Sequence, residues 1–461
     1  MRITYLNPVG ALGGAERSLL DMMASVRQAM PSADLSLIVG TSGLLIEEAQ
    51  KIGVRVVPLP MPRDLVELGD SRWRDEPHSQ VSMANCKTQI SNLQFSFCHL
   101  QFLSCIPRVG LATCNYLRRL RNTFTALRPD LVHSNGIKFH LLGRLAARQS
   151  WPVIWHIRDF LSLRPLVGRF LRWGTMLSRS TDSSFPARLV RRARNDESAL
   201  PRSLAGIVIS RAVEQDVQSV LGPLPIEMIY NAIDTQLFSP GSGDGAKLDE
   251  LAGLPSAKPG TLRVGLVATF ARWKGHELFL QAASQFVRNS PDSKVRFYII
   301  GGPIYSTRGS QYSEPELRRK ASELGLAGRL GLIGFQQNPT DVYRALDVVV
   351  HASTQPEPFG RTIVEAMACG KPVIVSEAGG ARELFTPDHD AVGYPPGNVS
   401  ALTRRIKELV DVPSLRSHLA DNARRTAVVR FDRARFGPQI LAAYRRFLPG
   451  VRNQESASLD S

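Results

Sequence analysis

Short apolar runs alternate with amphipathic stretches along most of the chain. In the first half, we predict strands at the apolar runs and helices at the stretches of about 10–15 residues between them. The predicted strands are Ile3–Asn7, Leu35–Gly40, Val54–Pro58, Asp130–Ser134, Val153–Ile157 and Ala205–Ser210, and the predicted helices are Ala15–Arg27, Leu44–Lys51, Tyr116–Leu127 and Phe139–Arg148. This alternation indicates a parallel sheet with right-handed crossovers.

The same alternation restarts after residue 260. The predicted strands there are Leu262–Ala268, Val295–Ile300, Leu330–Ile333, Asp347–Ala352 and Pro372–Ser376, and the predicted helices are His276–Val287, Glu314–Leu324, Thr340–Leu346, Gly360–Ala368, Ala401–Val410, Ser414–Val429 and Ala434–Phe447. Because 461 residues exceed one ordinary core, we expect two α/β domains in series.

Glycines and prolines between residues 241 and 260 mark the expected domain boundary, since such a composition is typical of linkers. We therefore predict an N-terminal domain at 1–240, a linker at 241–260 and a C-terminal domain at 261–430. A helix within 431–450 is expected to return to the N-terminal domain, and 451–461 to form a disordered tail. A poorly patterned insert, Met61–Leu111, interrupts the first domain.

The composition is that of a soluble globular protein, with 43% hydrophobic and 21% charged residues. No apolar run reaches the roughly 18–20 residues that span a bilayer, and the start lacks the pattern of a signal peptide. The 5 cysteines form no C-x-x-C pair, which argues against a disulfide framework or a zinc site. We expect a cytoplasmic location.

Positive charge is concentrated in one stretch of the chain. The net charge is +16, and Arg118–Arg194 contains 16 Lys and Arg against 3 acidic residues. Such a patch attracts phosphates of lipid headgroups, nucleic acids or substrates. Within it, the run that begins at Leu166 interleaves apolar and aromatic residues with arginine, which suits attachment to an anionic membrane surface. A solvated basic face is the alternative.

Flotation with vesicles of acidic lipid tests the membrane hypothesis. We expect salt-sensitive binding, because the attraction between basic residues and anionic headgroups is screened by salt. Absence of binding would leave the solvated face as the explanation.

The strongest chemical signal lies in residues 351–372, which contain Glu357-Pro-Phe359-Gly360 and Glu365. A buried strand precedes this loop and a helix begins near Phe359 or Gly360, so the loop lies where ligands of open α/β sheets bind. The helix start offers amides to an anion. Glu357 and Glu365 can accept hydrogen bonds from the hydroxyls of a sugar or a ribose. Without this placement, two glutamates eight residues apart would be interpreted as surface charges.

This run resembles the E-x7-E signature of the family 4 retaining glycosyltransferases, which have the GT-B fold. The resemblance extends over most of the chain except the insert and the tail. It implies two Rossmann-like domains that face each other across a cleft, with a donor sugar at Glu357 and its nucleotide ribose at Glu365. It also implies metal-independent, cofactor-free transfer from a nucleotide-sugar donor to a glycan or lipid-linked acceptor, in cell-surface polysaccharide or glycolipid biosynthesis.

Two glycine pairs resemble donor-contacting loops of the same family. Gly13-Gly14 resembles its G-G-x-E loop, and Glu16 is either a favourable charge at the helix start or a ligand contact. Residue 12 is leucine rather than glycine, so a dinucleotide-binding site is poorly supported. Gly379-Gly380-Ala-Arg-Glu383 resembles the late G-G-x-x-E turn, where Glu383 either contacts the donor or begins a helix.

Arg272-Trp-Lys274-Gly follows a predicted strand and could clamp a diphosphate, stabilising the charge that develops as the sugar leaves. In the family an arginine precedes this lysine by about five residues, and this chain has Thr269 there. We predict Arg272 as a displaced substitute. A solvated basic turn is the alternative.

Three further residues end predicted strands of the first domain. The resemblance implies that His156 lies at the reaction centre, although a structural role is the alternative for a lone histidine. It implies that His133 and Asn135 shape the acceptor pocket. Tyr230-Asn231 resembles the family's hinge entry, where the asparagine is a structural candidate.

Rival functions remain open from the sequence. A nucleotide-sugar epimerase or another GT-B enzyme shares the architecture, although neither an epimerase nor a glycan phosphorylase is expected to carry the E-P-F-G-x4-E stretch. The positive charge motivates a nucleic-acid-binding protein, but no RRM, KH, helix-turn-helix or zinc signature is present in the sequence. No Asp-x-Asp pair ends a predicted strand, so no bridging metal is expected.

Overall fold

The computed structural model describes residues 1–66, 93–148, 150–165, 168–172, 175, 204–303 and 309–448. Residues 67–92 of the predicted insert, most of the basic stretch beyond residue 172 and the tail 451–461 lie outside the described residues. The membrane hypothesis and the disordered tail therefore stay predictions. The cytoplasmic location and the proposed domain boundaries also stay predictions.

The first sheet has seven parallel strands in the order β3-β2-β1-β4-β5-β6-β7. They are β1 Arg2–Asn7, β2 Asp34–Val39, β3 Arg55–Pro58, β4 Leu131–Asn135, β5 Val153–Ile157, β6 Leu204–Val208 and β7 Ile226–Met228. The helices of this half are α1 Gly14–Ala29, α2 Leu44–Lys51, α3 Arg63–Val66, α4 Leu93–Leu127, α5 Ile137–Ala147 and α6 Arg211–Leu221. β4, β5 and β6 are buried throughout, as their continuous apolar character requires in a parallel sheet covered by helices.

The second sheet has six parallel strands in the order β10-β9-β8-β11-β12-β13. They are β8 Leu262–Val267, β9 Val295–Ile300, β10 Leu330–Ile333, β11 Val348–His351, β12 Val373–Ser376 and β13 Val392–Tyr394. The helices are α7 Gly245–Leu251, α8 His276–Asn289, α9 Glu314–Glu323, α10 Thr340–Ala345, α11 Arg361–Ala368, α12 Val399–Asp411, α13 Pro413–Phe431 and α14 Phe436–Phe447. The predicted α/β class and the parallel arrangement are confirmed.

The strand order reverses between β1 and β4 in one sheet and between β8 and β11 in the other. Ligands of open α/β sheets bind at such reversal points, beyond the carboxyl ends of the strands. The topology therefore directs attention to the segments that follow β1, β5, β8 and β11.

Among the elements that differ from the sequence prediction, two change the predicted insert and the predicted linker. α4 begins at Leu93, inside the predicted insert, rather than at Tyr116. The predicted linker contains α7, whose Asp249 forms ion pairs with Arg263 (2.8 Å) and Arg296 (3.0 Å) on neighbouring strands of the second sheet. The glycines and prolines of the predicted linker therefore flank a helix that is docked on the second sheet. The composition of the segment does not reveal this helix, because its docking depends on ion pairs with residues on other strands.

α14 packs against α1 and joins the core of the first sheet. Phe436, Ile440 and Tyr444 share a buried cluster with Ile3 of β1 and Met22 of α1. Within the described residues, no helix is both long enough and apolar enough to cross a membrane.

Gly437→Ala tests the packing of α14 on α1. A Cβ at residue 437 would lie 2.2 Å from the carbonyl oxygen of Ser25, so we expect overpacking to lower the free energy of unfolding by about 1–3 kcal/mol. Gly110→Ala is the control, because a Cβ there meets nothing within 4 Å and alanine favours a helix by roughly 1 kcal/mol. Denaturant unfolding compares the variants, and equal stabilities would contradict the close approach of the helices.

Candidate active site

A cavity of about 300 Å³ lies between the two domains and is lined mainly by segments that follow strand ends. We call it the cleft cavity. The predicted site residues that line it are Gly13, Gly14, Lys274, Glu357, Phe359, Gly360 and Glu365. Those that the described structure places outside its lining are His133, Asn135, His156, Arg272, Gly379, Gly380 and Glu383.

Glu357 lies in the loop between β11 and α11 and is 6% exposed. Its Oε2 accepts hydrogen bonds from Lys274 Nζ (2.6 Å) and Ser353 Oγ (2.9 Å), and His351 Nε2 lies 3.2 Å away. Burial alone would raise the pKa of Glu357, but the charge of Lys274 and the hydrogen bond of His351 outweigh it and hold the pKa well below its ordinary value. The glutamate is therefore a carboxylate that binds a cation at the cavity wall.

The main chain of the same loop is fixed by the turn after β12. Glu357 N donates to Ala378 O (3.2 Å), and Gly380 N donates to Glu357 O (2.7 Å). Gly379 has φ +65°, and a Cβ there would lie 2.6 Å from the carbonyl oxygen of Glu357. Only glycine fits this close approach in a left-handed conformation. The sequence predicts that Gly379 and Gly380 contact the donor, but in the structure they lie outside the cavity lining and support the main chain of Glu357.

Glu365 lies on α11, and both of its carboxylate oxygens have partners. Oε1 accepts from Arg361 Nε (2.5 Å), and Oε2 accepts from the Tyr343 hydroxyl (2.9 Å). Arg361 also donates to Asp21 Oδ2 on α1 (2.6 Å). This buried triad connects the two domains beside the cavity. Each oxygen of Glu365 keeps a further lone pair for a ligand hydroxyl.

The structure corrects the predicted role of Arg272. Its guanidinium pairs with Glu316 (3.1 Å) and lies 4.3 Å from the centre of the Tyr312 ring. The short 3-10 turn over Arg272–Lys274 turns these two side chains to different surroundings. Lys274 reaches the cleft cavity, and Thr269, at the family's arginine position, also lines it.

Glu383 is likewise engaged elsewhere. Its carboxylate accepts from the amides of Arg211 and Ala212, both at 2.9 Å, and from the Tyr230 hydroxyl at 3.0 Å. These amides open α6 of the first domain, where a carboxylate is favoured by unsatisfied N–H groups and the helix dipole. Glu383 therefore joins the domains rather than facing the cavity.

The hydrogen bonds of Glu16, near the loop after β1, distinguish between its two predicted roles, a charge at the helix start and a ligand contact. Its Oε2 accepts from the Gly13 amide (3.1 Å), and its Oε1 from Asn7 Nδ2 (3.4 Å). This is a cap on α1, so Glu16 has a structural role. Gly14 opens the helix, and a Cβ there would meet nothing within 4 Å. This leaves the backbone of the loop accessible from the cavity.

His133 and His156 form a buried pair behind the cavity wall. His133 Nε2 lies 3.1 Å from His156 Nδ1, and the Tyr444 hydroxyl of α14 lies 2.7 Å from His133 Nδ1. Burial lowers the pKa of both histidines well below 6.5, and the charge of Arg158 lowers it further. His156 therefore supports the wall as a neutral ring and does not reach the cleft cavity.

Of the two residues at this strand end that line the cavity, Arg158 and Asp159, Arg158 carries the positive charge. It follows His156 by two residues and so emerges on the same face of the extended chain. Asn135, predicted to shape the acceptor pocket, accepts from Arg158 Nε and so positions it. Arg17, Arg361 and His351 also line the cavity, although the sequence motifs do not include them. The i,i+4 spacing of Arg361 and Glu365 was the available signal.

Among the described residues, no group of three or more His, Cys, Asp or Glu side chains is placed to hold a metal ion. Cationic side chains instead face the acidic ones in the cavity.

Two family models match adjacent stretches of the chain. Residues 99–237 match Glycosyltransferase Family 4, and residues 256–426 match Glycosyl transferases group 1. The chain carries the two domains of a family 4 glycosyltransferase. Among solved structures, Anabaena Alr3699/HepE in complex with UDP-glucose superposes with a TM-score of 0.70 at 23% identity, covering 97% of this chain and 100% of that one. The GT-B fold of this family member is thereby confirmed.

Curated relatives are similar over part of their length. D-inositol 3-phosphate glycosyltransferase 1 of Catenulispora acidiphila is 29% identical over 56% of this chain and 64% of that protein. The lipopolysaccharide core biosynthesis mannosyltransferase LpsB of Rhizobium meliloti is 33% identical over 37% of this chain and 46% of that protein. The family 4 chain thus spans less than two thirds of the length of these relatives.

The buried histidines predict acid lability of the folded protein. Burial lowers the pKa of His276, beside Lys274, to about 3. Below roughly pH 6.5 the unfolded chain binds a proton at each such histidine that the folded protein excludes, so stability falls as pH decreases. In His276→Phe, an aromatic ring without a titrating group replaces the imidazole that contacts Phe270 and Tyr312. The loss between pH 7.5 and 5.5 should then be smaller by about 1.4 kcal/mol. Urea unfolding at both pH values measures it, and an unchanged loss would contradict the neutral, buried state.

Proposed function

We propose that the protein is a retaining, metal-independent glycosyltransferase that moves a sugar from a nucleotide-sugar to a glycan or lipid-linked acceptor. The observation that carries this proposal is the contact of Lys274 with Glu357 inside the cleft cavity, where Glu365 also lies. A cation, two carboxylates and a helix start at one cavity match the needs of a sugar diphosphate: charge neutralisation, hydroxyl acceptors and amides for an anion.

Glu357 is suited to hold the donor sugar. Its hydrogen bonds from described side chains all go to Oε2, which leaves Oε1 available for a sugar hydroxyl. Because Lys274 holds the carboxylate in its charged form, Glu357 remains an acceptor at any pH near neutrality.

Lys274 is suited to stabilise the leaving diphosphate. Its ammonium group faces the cavity while held against Glu357, so negative charge that develops on the diphosphate meets a preoriented cation. The N-terminus of α11, which follows Gly360, adds main-chain amides at the same cavity. In this proposal these groups supply the charge stabilisation that a bridging metal supplies in other transferases.

Retention follows in the proposal from a front-face reaction. The bond between the anomeric carbon and the diphosphate oxygen breaks, and a bond to the acceptor oxygen forms on the same face. The acceptor proton passes to an oxygen of the departing nucleoside diphosphate, so no enzymic nucleophile is needed. The family of this chain supports this order of events.

The acceptor is proposed from the relatives together with the fold. One relative is named for an inositol phosphate and another for the lipopolysaccharide core. An inositol phosphate and a lipopolysaccharide core both carry many hydroxyl groups, which supports a polyol or glycan as the acceptor class. Cell-surface polysaccharide or glycolipid biosynthesis is the proposed setting.

Glu357→Gln and Lys274→Ala test the site. Both variants are expected to fold and to lose at least 100-fold in transfer rate, since one removes the charged acceptor and the other the cation at the leaving group. UDP-, GDP- and ADP-sugars are first screened for thermal stabilisation, which mass action predicts at about 2–3 kcal/mol for a hundredfold excess over Kd. Transfer is then measured with the donor that binds, and NMR of the product gives its anomeric configuration.

Arg272→Ala is the matched control, because Arg272 belongs to the same turn as Lys274 but pairs with Glu316 outside the cavity. Its transfer rate should stay within twofold of the unmodified enzyme. Full activity in either site variant, or a product of inverted configuration, would overturn the corresponding part of the proposal.

A further inference from the structure

The cationic side chains of the cleft cavity differ in how their charge is balanced. Among the described residues they are Arg17, Arg158, Lys274 and Arg361. Lys274 pairs with Glu357, and Arg361 pairs with Asp21 and Glu365. The described part of the chain places no carboxylate within ion-pair distance of Arg158.

The partners of Arg158 are neutral. Its Nε donates to Asn135 Oδ1, its Nη1 donates to Asn231 Oδ1 (2.5 Å), and its Nη2 lies 3.3 Å from His156 Nδ1. His156 is a neutral ring, for the reason given above, and the two asparagines carry no charge. These contacts fix the guanidinium in one orientation without neutralising it.

A guanidinium with restricted access to water and no counter-ion is energetically unfavourable. Burial lowers the pKa of Arg158 to about 9, against the opposing attraction of the more distant Glu16. An aspartate has the shape of the asparagine at position 231 and would have supplied the missing charge. An arginine that is held in place at a cavity wall without a counter-ion is therefore suited to bind an anionic ligand.

We propose that Arg158 binds an anionic group, a phosphate or a carboxylate, on the acceptor of the transfer reaction. This inference rests on the proposed function and specifies its acceptor as negatively charged. The planar guanidinium suits either anion, because each offers two oxygens to parallel N–H donors.

The location of Arg158 favours the acceptor over the donor diphosphate. Arg158 follows β5 of the first sheet, whereas Lys274, Glu357 and the start of α11 belong to the second sheet, on the opposite wall of the cavity. The proposed donor-binding groups on that wall already include a cation, Lys274. Arg17, the other cavity arginine of the first domain, donates to Gln337 O across the cleft (2.7 Å) and so serves to join the walls.

The experiment compares matched acceptors in pairs, one member neutral and the other carrying an anionic group. With the donor identified by the nucleotide-sugar screen, kcat/KM is measured for glucose against glucose 6-phosphate, glucose against glucuronic acid, and myo-inositol against myo-inositol 1-phosphate. We expect the unmodified enzyme to prefer the anionic member of at least one pair by tenfold or more. Equal use of both members in all three pairs would overturn the proposal.

Two variants assign the preference to Arg158. Arg158→Gln removes the charge, and Asn231→Asp places a carboxylate on the guanidinium with little change in shape. Both are expected to reduce the ratio of anionic to neutral acceptor use at least tenfold. Melting temperatures report on folding, and Asn231→Asp provides the result if Arg158→Gln is unstable. An unchanged ratio in a folded variant would contradict the assignment.

Binding of the free nucleoside diphosphate shows whether Arg158 binds the donor diphosphate or an anionic group on the acceptor. Titration calorimetry should give a Kd within threefold for the unmodified enzyme and Arg158→Gln. A loss of tenfold or more would place Arg158 on the donor diphosphate and overturn the inference while leaving the proposed function intact. If no nucleotide-sugar binds or is consumed at all, the proposed function itself fails.

Discussion

The buried triad of Asp21, Arg361 and Glu365 is the interaction on which the arrangement of the site depends. Arg361 belongs to the helix of the second domain that carries Glu365, and it reaches α1 of the first domain. Ion pairs with so little access to water require good geometry to offset the loss of hydration, so the triad permits little variation in how the two walls approach. The helix that carries Glu365, the candidate residue for binding the ribose, therefore also sets the width of the cavity.

Further contacts reinforce this link at the loop of Glu357. The Ser210 hydroxyl donates to Pro358 O, and Glu383 accepts the first amides of α6. The turn that carries Glu383 also supports the main chain of Glu357 through Gly380. The turn at Gly380–Glu383 therefore both joins the two domains and positions the candidate catalytic carboxylate of Glu357. A change in the relative orientation of the two domains would therefore change the position of Glu357.

The sequence predicted the sheets because buried parallel strands are continuous apolar runs, and it found Glu357, Glu365 and Lys274 because each follows such a run at a sheet edge. It misassigned side chains whose surroundings come from distant elements. Arg272 and Lys274 are two residues apart, yet Glu316 draws one away from the cavity. At the end of β5, Tyr444 and His133 bury His156, and Arg158 occupies the wall. Glu383 finds its partners on α6, which no local pattern reveals.

The helix α14 has a consequence for the order in which the molecule can be completed. Residues 436–447 fill a core whose seven strands end at residue 228. The hydrophobic face that α1 and β1 leave for this helix is exposed until the whole second domain has been synthesised. The domain that leaves the ribosome first therefore cannot complete its core until the second domain has been synthesised, and its hydrophobic face stays uncovered until then.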